Sequence, residues 1–308
     1  MPTTLENVFS WSKSRAEEFE ECQRKYFYAR YLSWGGWEKS APDRIRQAYV
    51  LKNLKNRWAW KGECVHHVIE EVLKNYRAGR VVSFEEAEAK LTETMRKNYR
   101  SSKTALYRQD PKRNLGLFEH EYALAVTDDT WKRIHDESVK CLRNFYGSPL
   151  FEELKADDKP SWLVIEDLEE FDFEGSKIFV KLDFARKKNG VIEIYDWKTG
   201  KTNGETSVQL ATYAFYAMQK WKVPLKEVRT LLVNLTAEIP YAQDVPLNEG
   251  LLEDARVFIK ASVSRMQGLL TDPAHNVAKP AEAFAYAADS KACDRCNFYK
   301  ICEKFAGV

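Results

Sequence analysis

Apolar positions recur along this chain at two spacings, and the change from one to the other divides it. Over residues 63–77, Val65, Ile69, Val72 and Leu73 follow the 3.6-residue period of a helix with one buried face. Residues 83–99 repeat that period behind Ser83 and Glu86, spaced as a capping box. Further helices are predicted over 10–31, 45–60, 122–146, 205–220 and 250–270, the third of them stopping at Gly147, Ser148 and Pro149. Period-two alternation begins only near Trp162, with strands predicted over 162–173, 177–186, 191–197, 228–234 and 241–245. Lys188, Asn189 and Gly190 supply a tight turn between the second and third strands. The helix over 205–220 then acts as a crossover, which requires parallel pairing of the strands it joins. The pattern predicts an α/β fold: a mixed central sheet flanked by helices, with a large helical insertion ahead of the sheet and a cysteine-bearing tail behind it.

The predicted hairpin carries the chemistry. Asp183 and Asp196 fall on adjacent strands, and Asp196 and Lys198, two apart, share a face while Trp197 points the other way. Oxygen ligands of this kind suit a hard divalent cation such as Mg²⁺ or Mn²⁺, and a neighbouring ammonium suits a phosphate whose charge is growing. On its own the same pattern also describes an exposed hairpin whose acids and lysine pair across strands. His66 and Glu70 lie one turn apart on a helix face, as do Gln209 and Tyr213. Glu166, in the first predicted strand, reads as a solvent-facing carboxylate in preference to an extra acidic group near the site.

Gly62 followed by His66, then Asp183, then Asp196 and Lys198, then Gln209 and Tyr213, resembles in residue type and order the RecB-type branch of the PD-(D/E)XK nuclease superfamily. The resemblance implies a restriction-endonuclease-like core. It implies metal ligation by His66, Asp183, Asp196 and the Trp197 main-chain carbonyl, a catalytic Lys198, and substrate contacts from Gln209 and Tyr213. The expected reaction is hydrolysis of phosphodiester bonds in DNA, by exonuclease action on single strands or ends.

Six cysteines are present, and Cys293, Cys296 and Cys302 crowd the carboxyl end. Close thiolates bind an iron–sulfur cluster or tetrahedral Zn²⁺, and both readings stand on spacing alone. Cys64 and Cys141 sit in apolar helical patterns and read as buried free thiols. The stretch from Ser10 to Tyr28 around Cys22 is similar to the amino-terminal motif of iron–sulfur nucleases, including CRISPR-adaptation exonucleases and AddB-type subunits, with Gln23 where that motif commonly has proline. The resemblance implies a [4Fe-4S] cluster on Cys22, Cys293, Cys296 and Cys302 that staples the two ends together. It leaves residues 76–159 uncovered.

Composition narrows this picture only slightly. The chain has 308 residues and a net charge of +2, so affinity for nucleic acid must come from local patches. Lys52, Lys55, Arg57 and Lys61 form one such patch, and Arg96, Lys97, Arg100, Lys103, Arg108, Lys112 and Arg113 a second, interleaved with Trp58, Trp60, Tyr99 and Tyr107. No long repeat, low-complexity linker or apolar run of membrane-spanning length occurs, and a cytoplasmic location is expected. One nuclease domain is expected, in four stretches: 1–61 with Cys22, 62–160 with His66, 161–248 as the core, and 249–308 as the tail. No helicase P-loop of the form Gly-x4-Gly-Lys-Ser/Thr occurs in this sequence, so any ATP-driven unwinding is expected from elsewhere, such as a helicase, recombination or CRISPR-adaptation partner; a noncatalytic nucleic-acid-binding module is the alternative from another class.

Overall fold

Asn189 and Gly190, both at positive φ (51° and 84°), form the turn on which the sheet is built. In the computed structural model, which describes residues 5–200 and 206–305, this turn joins two strands of a mixed sheet. In chain order the strands are β1 (Trp162–Ile165), β2 (Leu168–Phe173), β3 (Ser176–Lys181), β4 (Phe184–Lys188), β5 (Val191–Lys198), β6 (Val228–Asn234) and β7 (Ala242–Val245). The main sheet runs β1-β4-β5-β6-β7, and β2 with β3 form a separate hairpin. Within the main sheet, among the described residues, only β5 and β6 pair in parallel, joined by the predicted crossover helix.

The helices are α1 (Lys13–Glu21), α2 (Gln23–Phe27), α3 (Asp43–Lys52), α4 (Arg57–Arg77), α5 (Phe84–Lys103), α6 (Phe118–Glu121), α7 (Asp128–Tyr146), α8 (Pro149–Ala156), α9 (Thr206–Trp221) and α10 (Glu249–Gln267). One face of the sheet, with Phe184, Tyr195, Trp197 and Val233, packs on α4, α5, α7 and α8. The opposite face, with Ala185, Ile192 and Ile194, packs on α1, α9, α10 and the β2–β3 hairpin. Alternation along β5 thus divides two cores. A third, smaller core gathers Tyr28, Val50, Leu51, Leu54, Tyr107 and Phe298 from distant parts of the chain.

Several expected elements are broken. The strand over 162–173 is two strands in different sheets, because Glu166 adopts left-handed φ (54°) and turns the chain out of β1. The strand over 177–186 likewise divides between β3 and β4. The helix over 10–31 is interrupted at Cys22, which is extended (φ −164°) and whose sulfur caps α2 by accepting from the Lys25 N–H at 3.4 Å; a π-helical turn over Tyr28–Leu32 follows. The helix over 45–60 stops at Lys52, since Asn56 caps a new helix, and the one over 122–146 starts at Asp128 behind Thr127. The Ser83–Glu86 capping box forms as expected. Glu205, the expected start of α9, lies outside the described residues. Among the described residues no helix is long and apolar enough to cross a membrane.

Candidate active site

Asn56 starts α4 by accepting from the backbone N–H groups of Trp58 and Ala59 at 3.0 and 2.9 Å. The helix buries Val65, Val68, Ile69, Val72 and Leu73 against α5, α7 and the sheet. His66 sits at the margin of that face and reaches the end of the sheet. Gly62, one turn earlier, permits the approach: a Cβ there would lie 3.0 Å from Thr199 Oγ1, beside Lys198.

The β4–β5 register pairs Phe184 with Tyr195, so one step further along the ladder Asp183 stands opposite Asp196. Asp183 Oδ2 accepts the Trp197 N–H at 2.7 Å, and its own carbonyl accepts the Glu166 N–H at 2.9 Å. His66 Nδ1 lies 2.9 Å from Glu166 Oε1 and 3.4 Å from Asp183 Oδ1. Ligand atoms of His66, Glu166 and Asp183 all fall within 4.8 Å of one another, the one such set of three among the described residues. Asp196 completes the acidic wall. Its Oδ1 accepts from Gln209 at 3.2 Å and faces the Tyr213 hydroxyl at 3.4 Å, while Lys198 Nζ lies 2.6 Å from Oδ2. Tyr213 also donates to the Lys181 carbonyl at 3.0 Å, which fixes α9 against β3.

The charges are unevenly satisfied. Burial first, then the facing Asp183, push the Asp196 carboxyl up to about 6, with Lys198 working in the opposite direction. Burial alone would pull His66 down, but Asp183 and Glu166 outweigh it and hold the imidazole well above the usual histidine range. Glu166 Oε2 and Asp196 Oδ2 are buried, and among the described residues their close partners are the ammonium groups of Lys181 and Lys198, at 2.8 and 2.6 Å. Buried carboxylate oxygens that no backbone N–H or hydroxyl occupies, set beside an imidazole, fit a hard divalent cation. Binding one through His66 would release that proton.

All seven residues expected from the sequence line a single cleft of about 960 Å³: His66, Asp183, Asp196, Trp197, Lys198, Gln209 and Tyr213. Lys181 lines it too, and Lys55, Lys112 and Arg113 stand on its walls. Glu166 is the residue that sequence reasoning misplaced. It is 6% exposed and points at His66, because the break after β1 removes it from the alternation on which the solvent-facing reading rested. The basic patches are also corrected. Lys61 is buried on Glu137, Arg57 turns to Glu119, and Arg108 to Glu121. Trp60, Tyr99 and Tyr107 pack inward rather than stand free.

Cys22, Cys293, Cys296 and Cys302 line a second, small cavity, all half-buried and free. Burial pushes the Cys296 thiol up to about 11, and the Cys22 and Cys302 sulfurs add to the shift. Cys64 and Cys141 are buried, as expected.

Residues 10–303 match the family profile of the PD-(D/E)XK nuclease superfamily. The chain belongs to that superfamily, and is therefore a nuclease, a phosphodiester hydrolase. No curated protein matches the sequence. Among solved structures, a Eubacterium rectale protein that carries a provisional exonuclease label is 13% identical, with a TM-score of 0.32, over 64% of this chain and 78% of its own. The protein named SSO0001 is 16% identical, with a TM-score of 0.29, over 61% of this chain and 79% of its own.

Proposed function

We propose that this nuclease is a metal-dependent deoxyribonuclease of the RecB-type branch, acting as an exonuclease on single strands or DNA ends. The observation that carries the reading is the gathering of His66, Glu166 and Asp183 within 4.8 Å, beside the Asp196–Lys198 pair, on the wall of an open cleft. His66, Asp183, Asp196 and the Trp197 carbonyl would hold one Mg²⁺ or Mn²⁺, and Glu166 either joins them or orients His66. Such an ion supplies charge neutralisation at the phosphate and acidifies a water ligand. Lys198 orients the attacking water through its ammonium and offsets charge that develops on the phosphorus oxygens. Gln209 and Tyr213 hold Asp196 in place from α9 and border the substrate backbone. Lys55, Lys112 and Arg113 neutralise phosphates further along the cleft.

The four cysteines support a cluster as well. Cys22 from one end and Cys293, Cys296 and Cys302 from the other face one cavity. We assign them a structural [4Fe-4S] cluster, with Zn²⁺ as the rival, separated by an anaerobic absorption spectrum and metal analysis. A cytoplasmic protein working with a helicase, recombination or CRISPR-adaptation partner is consistent with this assignment.

The test is cleavage of labelled single-stranded and duplex DNA with Mn²⁺ by wild type and by His66→Ala, Asp183→Ala, Asp196→Ala and Lys198→Ala. Wild type should degrade the single strand from an end, and each variant should lose at least about a hundredfold in rate. Variants that cleave as fast as wild type would sink the assignment. DNA binding that ignores Mn²⁺ and yields no product would leave a noncatalytic binding module.

A further inference from the structure

Beside the catalytic cleft lies a knot of cations that the site just described does not use. The segment before α1 is fixed to the β2–β3 hairpin: the Trp11 N–H donates to the Lys177 carbonyl at 2.9 Å, and the Phe179 N–H donates to the Trp11 carbonyl at 2.8 Å. This sets Arg15 over the ring of Phe179, 5.4 Å from its centroid. Phe179 lies two residues before Lys181, which lines the cleft. Arg30 arrives from the π-helical turn and Lys52 from the end of α3, immediately before the cleft residue Asn53. Two independent elements therefore tie the knot to the margin of the cleft.

Its charges are not balanced. Among the described residues, the Arg15 side chain donates only to the carbonyl of Ser10, at 2.9 Å, and to the hydroxyl of that residue. Among the described residues, Arg30 has one carboxylate, Glu18 at 3.0 Å, and its buried Nε has no partner. Among the described residues no carboxylate lies within ion-pair distance of Arg15 or Lys52. The neighbouring basic residues behave otherwise: Lys13 pairs with Glu17 and Lys25 with Glu21. Burial first, and then Arg30, pull Arg15 down to about 10; burial, Arg30 and Lys112 are among the influences that pull Lys52 down to about 8. Among the described residues Glu18, paired with Arg30, is the one carboxylate that acts on all three cations, and it does not offset burial and their mutual repulsion at Arg15 and Lys52. Half-buried like charges so under-compensated lower stability and suit a site that receives an anion.

We propose that Arg15, Arg30 and Lys52 form a phosphate-binding station at the margin of the catalytic cleft, which holds the backbone of a nucleic-acid strand away from the bond being cut. The inference rests on the nucleic-acid reading above and adds to it a second point of attachment, carried by the amino-terminal helices. Two guanidinium groups and one ammonium suit a phosphate oxygen fork, and Lys112 continues the positive path into the cleft.

The station is tested by binding without divalent cations, so that no strand is consumed. The probe is a labelled oligothymidylate, with and without a terminal phosphate, titrated across salt concentrations. Arg15→Gln and Lys52→Gln should each weaken binding roughly tenfold and flatten the log–log salt dependence by about 0.7 for a phosphate no longer neutralised, whereas Arg15→Lys keeps the slope. Lys52→Gln should at the same time raise Tm, because it removes an uncompensated charge; a residue needed only for packing would lower it. If Arg15→Gln does not fold, Lys52→Gln carries the test alone. Tightening that requires the terminal phosphate identifies a strand end as the ligand, and tightening without it identifies an internal phosphodiester; both support the station. Unchanged affinity and slope in the variants, or affinity that falls in step with Tm, would overturn it. Wild-type cleavage alongside unaffected variants sinks this inference and leaves the nuclease reading standing. Variant-sensitive binding without any product does the reverse.

Discussion

Glu166 occupies the conformation that a carboxylate needs in order to reach His66 from the end of β1. Its left-handed φ of 54° is costly for a non-glycine residue, and the carboxylate it aims is 1% exposed. Glu166→Gln keeps the shape and removes the charge, so Mn²⁺ affinity measured by calorimetry should fall about 10–100-fold. An unchanged affinity would exclude Glu166 from the ion's surroundings. Glu121 shows the opposite arrangement, a carboxylate fully provided with donors: Lys300 at 2.6 Å, Arg108 at 3.0 Å and the Tyr107 hydroxyl. Burial alone would raise its pKa, but these hydrogen bonds outweigh burial and lower it. A depressed folded-state pKa stabilises the fold above the ordinary glutamate value, about 4.3, and that stabilisation is lost as pH falls through the folded value. Glu121→Gln should therefore cost about 1.5–3 kcal/mol in denaturant unfolding at neutral pH. The gap to wild type should close as pH drops below about 4, and a gap that persists there would refute the linkage.

Helix α4 shows how a single element serves both stability and chemistry. A glycine inside a helix costs about 1 kcal/mol relative to alanine, so Gly62 is retained against local propensity. Its lack of a Cβ lets the helix approach Thr199. Gly62→Ala should gain helix propensity while pushing Thr199, and Lys198 with it, by a few tenths of an ångström. Tm should stay the same or rise, and kcat should fall about tenfold, the sensitivity expected of a displaced catalytic group. Equal losses in both would mean that Gly62 serves packing alone. Elements of this kind were legible in the sequence because their period is unbroken: α5, α9, α10, β5 and the carboxyl end of α4 lie close to where their patterns put them, as does the turn between β4 and β5. The breaks at Glu166 and near Asp183 were not legible. A strand that leaves one sheet for another keeps its alternation, and period two does not record which partner it pairs with. The same ambiguity explains the site. Asp183, Asp196 and Lys198 could be read from one hairpin, whereas Glu166 reaches them only through a turn that alternation does not encode.

Across the molecule, the segment from Cys22 to Leu54 meets the tail over 281–305, and the cysteines mark the place. The Arg24 N–H donates to the Ala285 carbonyl at 3.0 Å, and Asn297 donates to the Leu54 carbonyl at 3.0 Å. Tyr122 donates to the Asn297 carbonyl at 2.7 Å, and Phe298 enters the third core with Tyr28, Val50 and Leu54. The tail over 281–305 is otherwise turns and short 3₁₀ segments, with few backbone ladders of its own. Such a segment holds little stability alone, and a cluster on Cys22, Cys293, Cys296 and Cys302 would close a loop of nearly the whole chain. A ligand bound at about a thousand times its dissociation constant contributes about 4 kcal/mol to folding. With about 2–4 °C per kcal/mol for a chain of this class, Cys302→Ser should lower Tm by about 10 °C in protein purified without oxygen. After chelation, wild type and variant should melt together. A difference of the same size in chelated protein would assign the thiols to packing instead. The same experiment reaches the cleft: Arg24, which ties α2 to the tail through the Phe284 carbonyl at 3.2 Å and Glu303 at 2.9 Å, lies between Cys22 and Arg30. Loss of the cluster should therefore weaken oligonucleotide binding through Arg15 and Arg30 before it alters His66 and Asp183, whose supports come from α4 and the sheet.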